Sequence, residues 1–137
     1  KSARGKELAN AMPFLRKTSM QLPSKMRFVS AQLVALFEDD ARVAMNNARH
    51  ANAMAQRLYE GVVAIAKRNK QVKIPNKAEA NAVFPILPPK VTARLQKQFR
   101  FYVWNQSTGQ VRWMCAWDTT KQDVDGLLEA LKKALAK

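Results

Sequence analysis

The spacing of the apolar residues changes near residue 70, and this change constrains the fold more than any other feature of the sequence. Over residues 41–68 the apolar side chains recur every three or four positions, which is the repeat of an amphipathic helix. At Val72 and Ile74 and again over residues 80–87 they alternate with a period of two, which is typical of strands. A chain of 137 residues can bury one modest core, so we expect one domain, or a core with an appended arm.

Several helical segments are predicted before this change. Residues 6–12 contain good helix formers, and Pro13 should interrupt them. A second break is expected at residues 21–25, and a helix with an apolar face should restart near Ser24, a plausible N-cap. The acidic run 38–40 should interrupt the apolar pattern. The longest stripe that the spacing predicts consists of Ala48, Ala51, Ala55, Leu58, Val62 and Ile65.

The second half of the sequence predicts short strands and two further helices. Residues 80–87 alternate, but Pro85 cannot donate a ladder hydrogen bond, so we expect a sheet edge or a bulge there. Residues 91–99 have the spacing of a short helix, and residues 100–117 form the clearest hairpin signal. The second strand of that hairpin should point Val111, Trp113, Cys115 and Trp117 to one face.

A last helix should begin after the hairpin, at Thr119 or Thr120. Gln122 follows Thr119 by three residues and would complete a capping box. The order of elements then favours an α+β fold, in which a small, mainly antiparallel sheet has helices packed on one face and a helical arm precedes it. We expect residues 1–23 to be the arm or linker and residues 24–137 to be a small α+β domain.

The charge is strongly positive and unevenly distributed. Of a formal net charge of +14, residues 41–100 supply most, with 12 basic and 2 acidic side chains. Such a balance attracts polyanions, but a basic solvated surface is the favoured interpretation, and nucleic-acid binding is the weaker one. Apolar runs are too short for a membrane span. The single cysteine excludes an internal disulfide, so a reducing, cytoplasmic setting is expected.

Candidate chemical groups are few. His50 and Cys115 are the only histidine and cysteine, and a zinc site needs about four such ligands, so we predict no metal site. A Cys–His nucleophile pair is formally possible, but a buried, inert thiol is the favoured interpretation of Cys115. We predict no catalytic residue in this chain.

Arg112 is a cation in the middle of an otherwise apolar strand. Its guanidinium offers a rigid fork of donors that suits a carboxylate ligand. The alternative is an arginine that is solvated or paired with a nearby acid, and the local pattern alone slightly favours this alternative.

Several segments, in order, resemble the C-terminal part of the low-specificity L-threonine aldolases. The resemblance covers nearly the whole chain from about Phe14. The segments that carry it are 14–17 (FLRK), 21–28 (QLPSKMRF), 49–55 (RHANAMA), 80–84 (ANAVF) and 111–120 (VRWMCAWDTT).

The resemblance implies a pyridoxal-phosphate lyase with the aspartate-aminotransferase fold, which cleaves β-hydroxy-α-amino acids to glycine and an aldehyde. It further implies that Arg112 binds the substrate carboxylate and that Arg27 reaches the cofactor phosphate. The resemblance also implies a large cofactor-binding domain as partner, and a homo-oligomer is possible.

The resemblance leaves the chemistry itself to residues outside this chain. None of its lysines has the Thr-Lys-Asn-Gly type of setting that the Schiff-base lysine has in the family. We therefore expect an isolated or engineered C-terminal domain that closes the active site in its parent enzyme, and that neither binds the cofactor nor catalyses the reaction alone. The alternatives are a basic module that captures polyanions through residues 67–77, or a self-associating structural domain.

Overall fold

The computed structural model describes residues 3–21 and 24–136. In this part of the chain the elements are α1 (Ala3–Thr18), α2 (Met26–Arg68), β1 (Ala82–Val83), α3 (Pro89–Gln96), β2 (Tyr102–Asn105), β3 (Gln110–Met114) and α4 (Lys121–Leu135). The four helices and the antiparallel three-stranded sheet confirm the predicted α+β class. None of the described helices combines the length and the apolarity that a bilayer-spanning segment requires.

Contacts between residues divide the chain into two compact units, Lys1–Val43 and Ala44–Lys137. The domain boundary expected after residue 23 stays a prediction, because compactness does not show which segment folds independently. Of the predicted break at residues 21–25, residues 22–23 lie outside the described residues, whereas 21, 24 and 25 are not helical, and α2 begins at Met26.

The first unit is helical and exposes its apolar side chains. Helix α1 has no buried residue, and Pro13 lies inside it without ending it, so the predicted interruption is wrong. A proline removes one helical hydrogen bond, but helix formers on both sides continue the helix. Large apolar side chains such as Phe14, Phe28 and Phe37 are more than half exposed.

The acidic run 38–40, predicted to interrupt the apolar pattern, coincides with a break in the helical backbone of α2. Residues 38–41 have non-helical dihedral angles, and Asp39, Asp40 and Ala41 adopt positive φ values of 50°, 55° and 59°. An L-residue in this left-handed region costs roughly 1–2 kcal/mol, and aspartate tolerates it better than most residues because its short polar side chain can bond locally. The regular helix therefore resumes only after Ala41.

The core of the second unit begins with the predicted stripe of α2. Ala51, Ala55, Leu58, Val62 and Ile65 are all buried. Ala48 was expected in the stripe but is exposed, because it lies before the part of α2 that the sheet and the other helices cover. The buried residues that complete this core are Met54, Val72, Val83, Leu87, Val91, Leu95, Val111, Trp113, Cys115, Val124, Leu131 and Ala134.

The sheet has the order β1-β3-β2 with β3 at its centre. Both pairs of strands are antiparallel. Val83 lies opposite Trp113, and Tyr102 lies opposite Arg112. β1 is much shorter than residues 80–87, because Pro85 has no N–H to donate. The Pro85 carbonyl still accepts a 2.9 Å hydrogen bond from the N–H of Val111.

The end of β3 and the start of α4 correct two predictions. β3 ends at Met114, so the alternation does not reach Trp117, which is 67% exposed and not buried. The capping box of α4 is formed by Thr120 and Asp123, one residue beyond the predicted pair. Each of these two residues bonds the backbone N–H of the other.

Candidate functional site

Alternation along β3 separates a buried face of the sheet from an open one. Val111 and Trp113 face the core, whereas Arg112 and Met114 point to the other side. Tyr102 is paired with Arg112 and is 75% exposed, so β2 contributes to the same open face. A set of large side chains thus stands on this face with one cation at its centre.

Arg112 is held against an aromatic ring on the open face. Its guanidinium carbon lies 5.1 Å from the ring centroid of Trp104, within the range of a cation–π contact. Among the described residues, no carboxylate lies within ion-pairing distance of it. The side chain is half-buried, so its donors are oriented by the sheet but remain available to an anionic ligand.

The contact with Trp104 is the feature that sequence reasoning missed. Alternation along β2 predicts the face of the sheet on which Trp104 lies. It does not predict which residue of β3 lies beside Trp104, because the register of β2 against β3 shifts between Val103 and Asn105. The ring of Phe84 meets that of Trp104 edge-on, with the centroids 5.6 Å apart. Phe84, Trp104 and Arg112 come from three sequence segments, so only pairing of the strands brings them together.

A cleft of about 440 Å³ borders Arg112 near the start of β2. Its polar lining consists of Arg100, Arg112, Asp118, Thr119 and Asp123, together with the hydroxyl of Tyr102. Leu58, Val124 and Leu127 supply an apolar wall. The cleft therefore offers both cations and carboxylates to a small polar ligand.

Asp123 is not available as a proton donor at neutral pH. Hydrogen bonds from the side chain and the backbone of Thr120 lower the pKa of this carboxyl below its ordinary value. The carboxylate is thus committed to the cap of α4.

Cys115 and His50 do not form a nucleophile pair. Burial raises the pKa of the Cys115 thiol, which keeps it protonated and unreactive. The Nε2 atom of His50 instead lies 2.7 Å from the carbonyl oxygen of Thr119. Within the described residues, no group of three or more histidine, cysteine, aspartate or glutamate side chains has a metal-binding arrangement.

Arg27 lies in the first unit, near the start of α2. Its guanidinium carbon is 5.0 Å from the centroid of the Phe28 ring. Arg112 belongs to the second unit, so each arginine is described with its own surroundings. Both candidate cations contact an aromatic ring.

Relatives of this chain are threonine aldolases. A low specificity L-threonine aldolase of Pseudomonas sp. is 36% identical over 132 residues, which are 96% of this chain and 36% of that protein. The enzyme of the same name from Pseudomonas aeruginosa is 34% identical over 128 residues, or 93% of this chain and 35% of that protein. No family model matches the chain.

A solved structure supports the same fold. A threonine aldolase of Leishmania major superposes with a TM-score of 0.59 over 74% of this chain and 28% of that protein, at 24% identity. The chain thus spans about a third of the length of the Pseudomonas relatives, and over this stretch it is homologous to the low specificity L-threonine aldolases.

Proposed function

We propose that this chain is the C-terminal domain of a threonine-aldolase-like lyase and that Arg112 binds the α-carboxylate of a β-hydroxy-α-amino acid. The observation that carries the proposal is the state of Arg112: it is half-buried on the open face of a rigid sheet and has no carboxylate partner among the described residues. A half-buried guanidinium must be hydrated or paired with an anion. A carboxylate is a suitable anion, because its two oxygens can accept two parallel hydrogen bonds from the guanidinium.

We propose that the cofactor site is completed by residues outside this chain. Arg27, the candidate ligand of a cofactor phosphate, contacts the Phe28 ring. A pyridoxal-phosphate site also needs a Schiff-base lysine, and the resemblance assigns none in this chain. We therefore derive no step through the cofactor and assign this chain no catalytic residue.

The open sheet face supports the role of a lid over an active site supplied by the rest of the enzyme. Tyr102, Trp104 and Met114 are all more than half exposed there, and exposed large apolar residues grouped together mark interaction surfaces. A large cofactor-binding domain, on the same or another chain, is the proposed partner for this face. A cytoplasmic location remains part of the proposal, since the sequence contains one cysteine and so has no internal disulfide.

The test is a hybrid enzyme in which this chain replaces the stretch that it matches in the Pseudomonas sp. aldolase. We expect the hybrid to cleave L-threonine. Arg112→Ala should raise KM about 10- to 100-fold, because a charge-assisted carboxylate contact is lost. Arg112→Lys should recover part of this loss, since it keeps the charge without the fork.

Lys97→Ala is the matched control for loss of a cation, because Lys97 is exposed after the end of α3. It should leave KM within twofold of the unsubstituted hybrid. A folded hybrid that binds pyridoxal phosphate but does not cleave threonine would contradict the proposal, as would an unchanged KM in Arg112→Ala.

The positive charge offers weaker support for polyanion binding. Lys67 and Arg68 end α2, and Lys132 and Lys133 lie in the last turn of α4. Cations at these positions complement the helix dipole, which explains part of the charge without a ligand. If residues 67–77 did capture polyanions, filter binding of RNA would occur at low salt and weaken steeply as salt rises.

A further inference from the structure

We propose that Trp104 is a positioning residue that holds the Arg112 guanidinium in its carboxylate-binding orientation. This inference rests on the proposed function of Arg112 but concerns a different residue. The 5.1 Å distance from the guanidinium carbon to the indole centroid is the primary observation. Arginine loses much rotamer freedom when it is fixed, so a ring that orients it in advance removes part of that cost from ligand binding.

The backbone of β2 is irregular at the point where it presents Trp104. Val103 is paired with Val111, but Asn105 is paired with Gln110, so one strand carries an extra residue between these pairs. Such bulges redirect the side chain that they contain and are frequent beside active sites. The irregularity is thus an observation independent of the ring distance, and it lies at Trp104 itself.

Trp104 is in turn supported from β1's side of the sheet. The Phe84 ring meets it at an interplanar angle of 65° with a centroid distance of 5.6 Å, an edge-on arrangement that attracts two aromatic rings. Trp104 remains 57% exposed despite this contact. Trp104 therefore contributes little to the core. Its described ring contacts are with Phe84 and with the Arg112 guanidinium, which fits a role in orienting Arg112.

The contact also predicts which substitutions are tolerated. Phenylalanine offers a smaller π face and should retain most of the effect, whereas leucine has comparable hydrophobicity without a ring quadrupole. The difference between Trp104→Phe and Trp104→Leu therefore separates orientation of the guanidinium from simple apolar contact.

The kinetic test uses the hybrid enzyme described above. Trp104→Leu should raise KM for L-threonine about 3- to 30-fold while kcat stays within twofold, and Trp104→Phe should restore most of the affinity. Trp117→Leu is the control, because Trp117 is also exposed and has no described ring contact with Arg112. It should leave both constants unchanged.

A spectroscopic test uses the chain itself and does not depend on activity. In a proton–nitrogen-15 correlation spectrum, the Nε–H proton of Arg112 should be shifted upfield by the ring current of the indole. The shift should disappear in Trp104→Leu and largely persist in Trp104→Phe. A resonance that is the same in Trp104→Leu and in the unsubstituted chain would overturn the proposal.

The two tests separate the two proposals. If Arg112→Ala does not alter KM, the proposed function of Arg112 fails. If Arg112→Ala raises KM but Trp104→Leu does not, the function of Arg112 stands and the role of Trp104 is refuted.

Discussion

Arg57 on α2 holds Asp125 on α4 by two parallel hydrogen bonds. The distances are 3.0 Å from Nε to Oδ1 and 2.8 Å from Nη2 to Oδ2. The two residues are 68 positions apart in sequence, so this pair ties the long helix to the last one. A two-point guanidinium–carboxylate contact is more specific in geometry than a single surface ion pair.

The Arg57–Asp125 pair should make stability depend on pH. Hydrogen bonds from Arg57 lower the pKa of the Asp125 carboxyl. Its stabilising contribution is therefore complete above the ordinary aspartate pKa of about 3.9 and is lost as the pH falls through the lowered value. Arg57→Gln should destabilise the chain at neutral pH, and its difference from the unsubstituted chain should shrink below about pH 4.

Urea unfolding at a series of pH values measures this difference. Asn52→Ala is the control, because it removes a neutral, exposed side chain of α2 for which no hydrogen bond to a titrating group is described. Its effect on the free energy of unfolding should not vary between pH 7 and pH 3. A constant Arg57→Gln difference over the same range would contradict the assigned linkage.

Gly109 should not tolerate a side chain. Its φ of +72° lies in the left-handed region, and an added Cβ would be 2.8 Å from the carbonyl oxygen of Leu87. Gly109→Ala should therefore lower the free energy of unfolding by about 1–3 kcal/mol. Thermal and urea unfolding measure this loss directly.

Gly126 is the matched control within the same unit. It lies inside α4, and an added Cβ would meet no atom within 4 Å. Gly126→Ala should stabilise the chain by about 0.5–1 kcal/mol, since alanine has the higher helix propensity. Equal effects of the two substitutions would mean that the turn at Gly109 is not formed as described.

Leu131 is a core residue in the C-terminal half of α4. Its side chain is fully buried, so Leu131→Ala should cost about 2–5 kcal/mol through lost transfer energy and the cavity left behind. Leu8→Ala, at a position that is 57% exposed, is the comparison. A small effect at Leu131, similar to that at Leu8, would argue against the packing of α4 on the core.

The Cys115 thiol should be unreactive in the folded chain. It is buried, and burial raises its pKa, so little thiolate is present at neutral pH. A colorimetric disulfide reagent should modify it slowly in buffer and rapidly in denaturing urea. Rapid modification of the folded chain would show that the end of β3 is open to solvent.

Local sequence patterns were sufficient for the element types. The stripe of α2 that is buried from Ala51 to Ile65 could be predicted, because the 3.6-residue repeat of a helix is visible in the local sequence. The α+β class and the hairpin likewise followed from periodicity and from turn residues. Errors occurred at element ends, as at Trp117 and Gln122, where strand length and cap choice depend on neighbouring elements.

The sequence by itself determined the fold class and most of the buried stripe of α2, because these follow from short-range periodicity. The local pattern around Arg112 did not assign it a role, and its role as a carboxylate ligand comes from the resemblance and stays a proposal. Only the tertiary structure decided that Trp104 lies against Arg112 and that Arg57 donates two hydrogen bonds to Asp125. Such contacts depend on strand register and helix packing, which join distant segments through many weak interactions that no local pattern encodes.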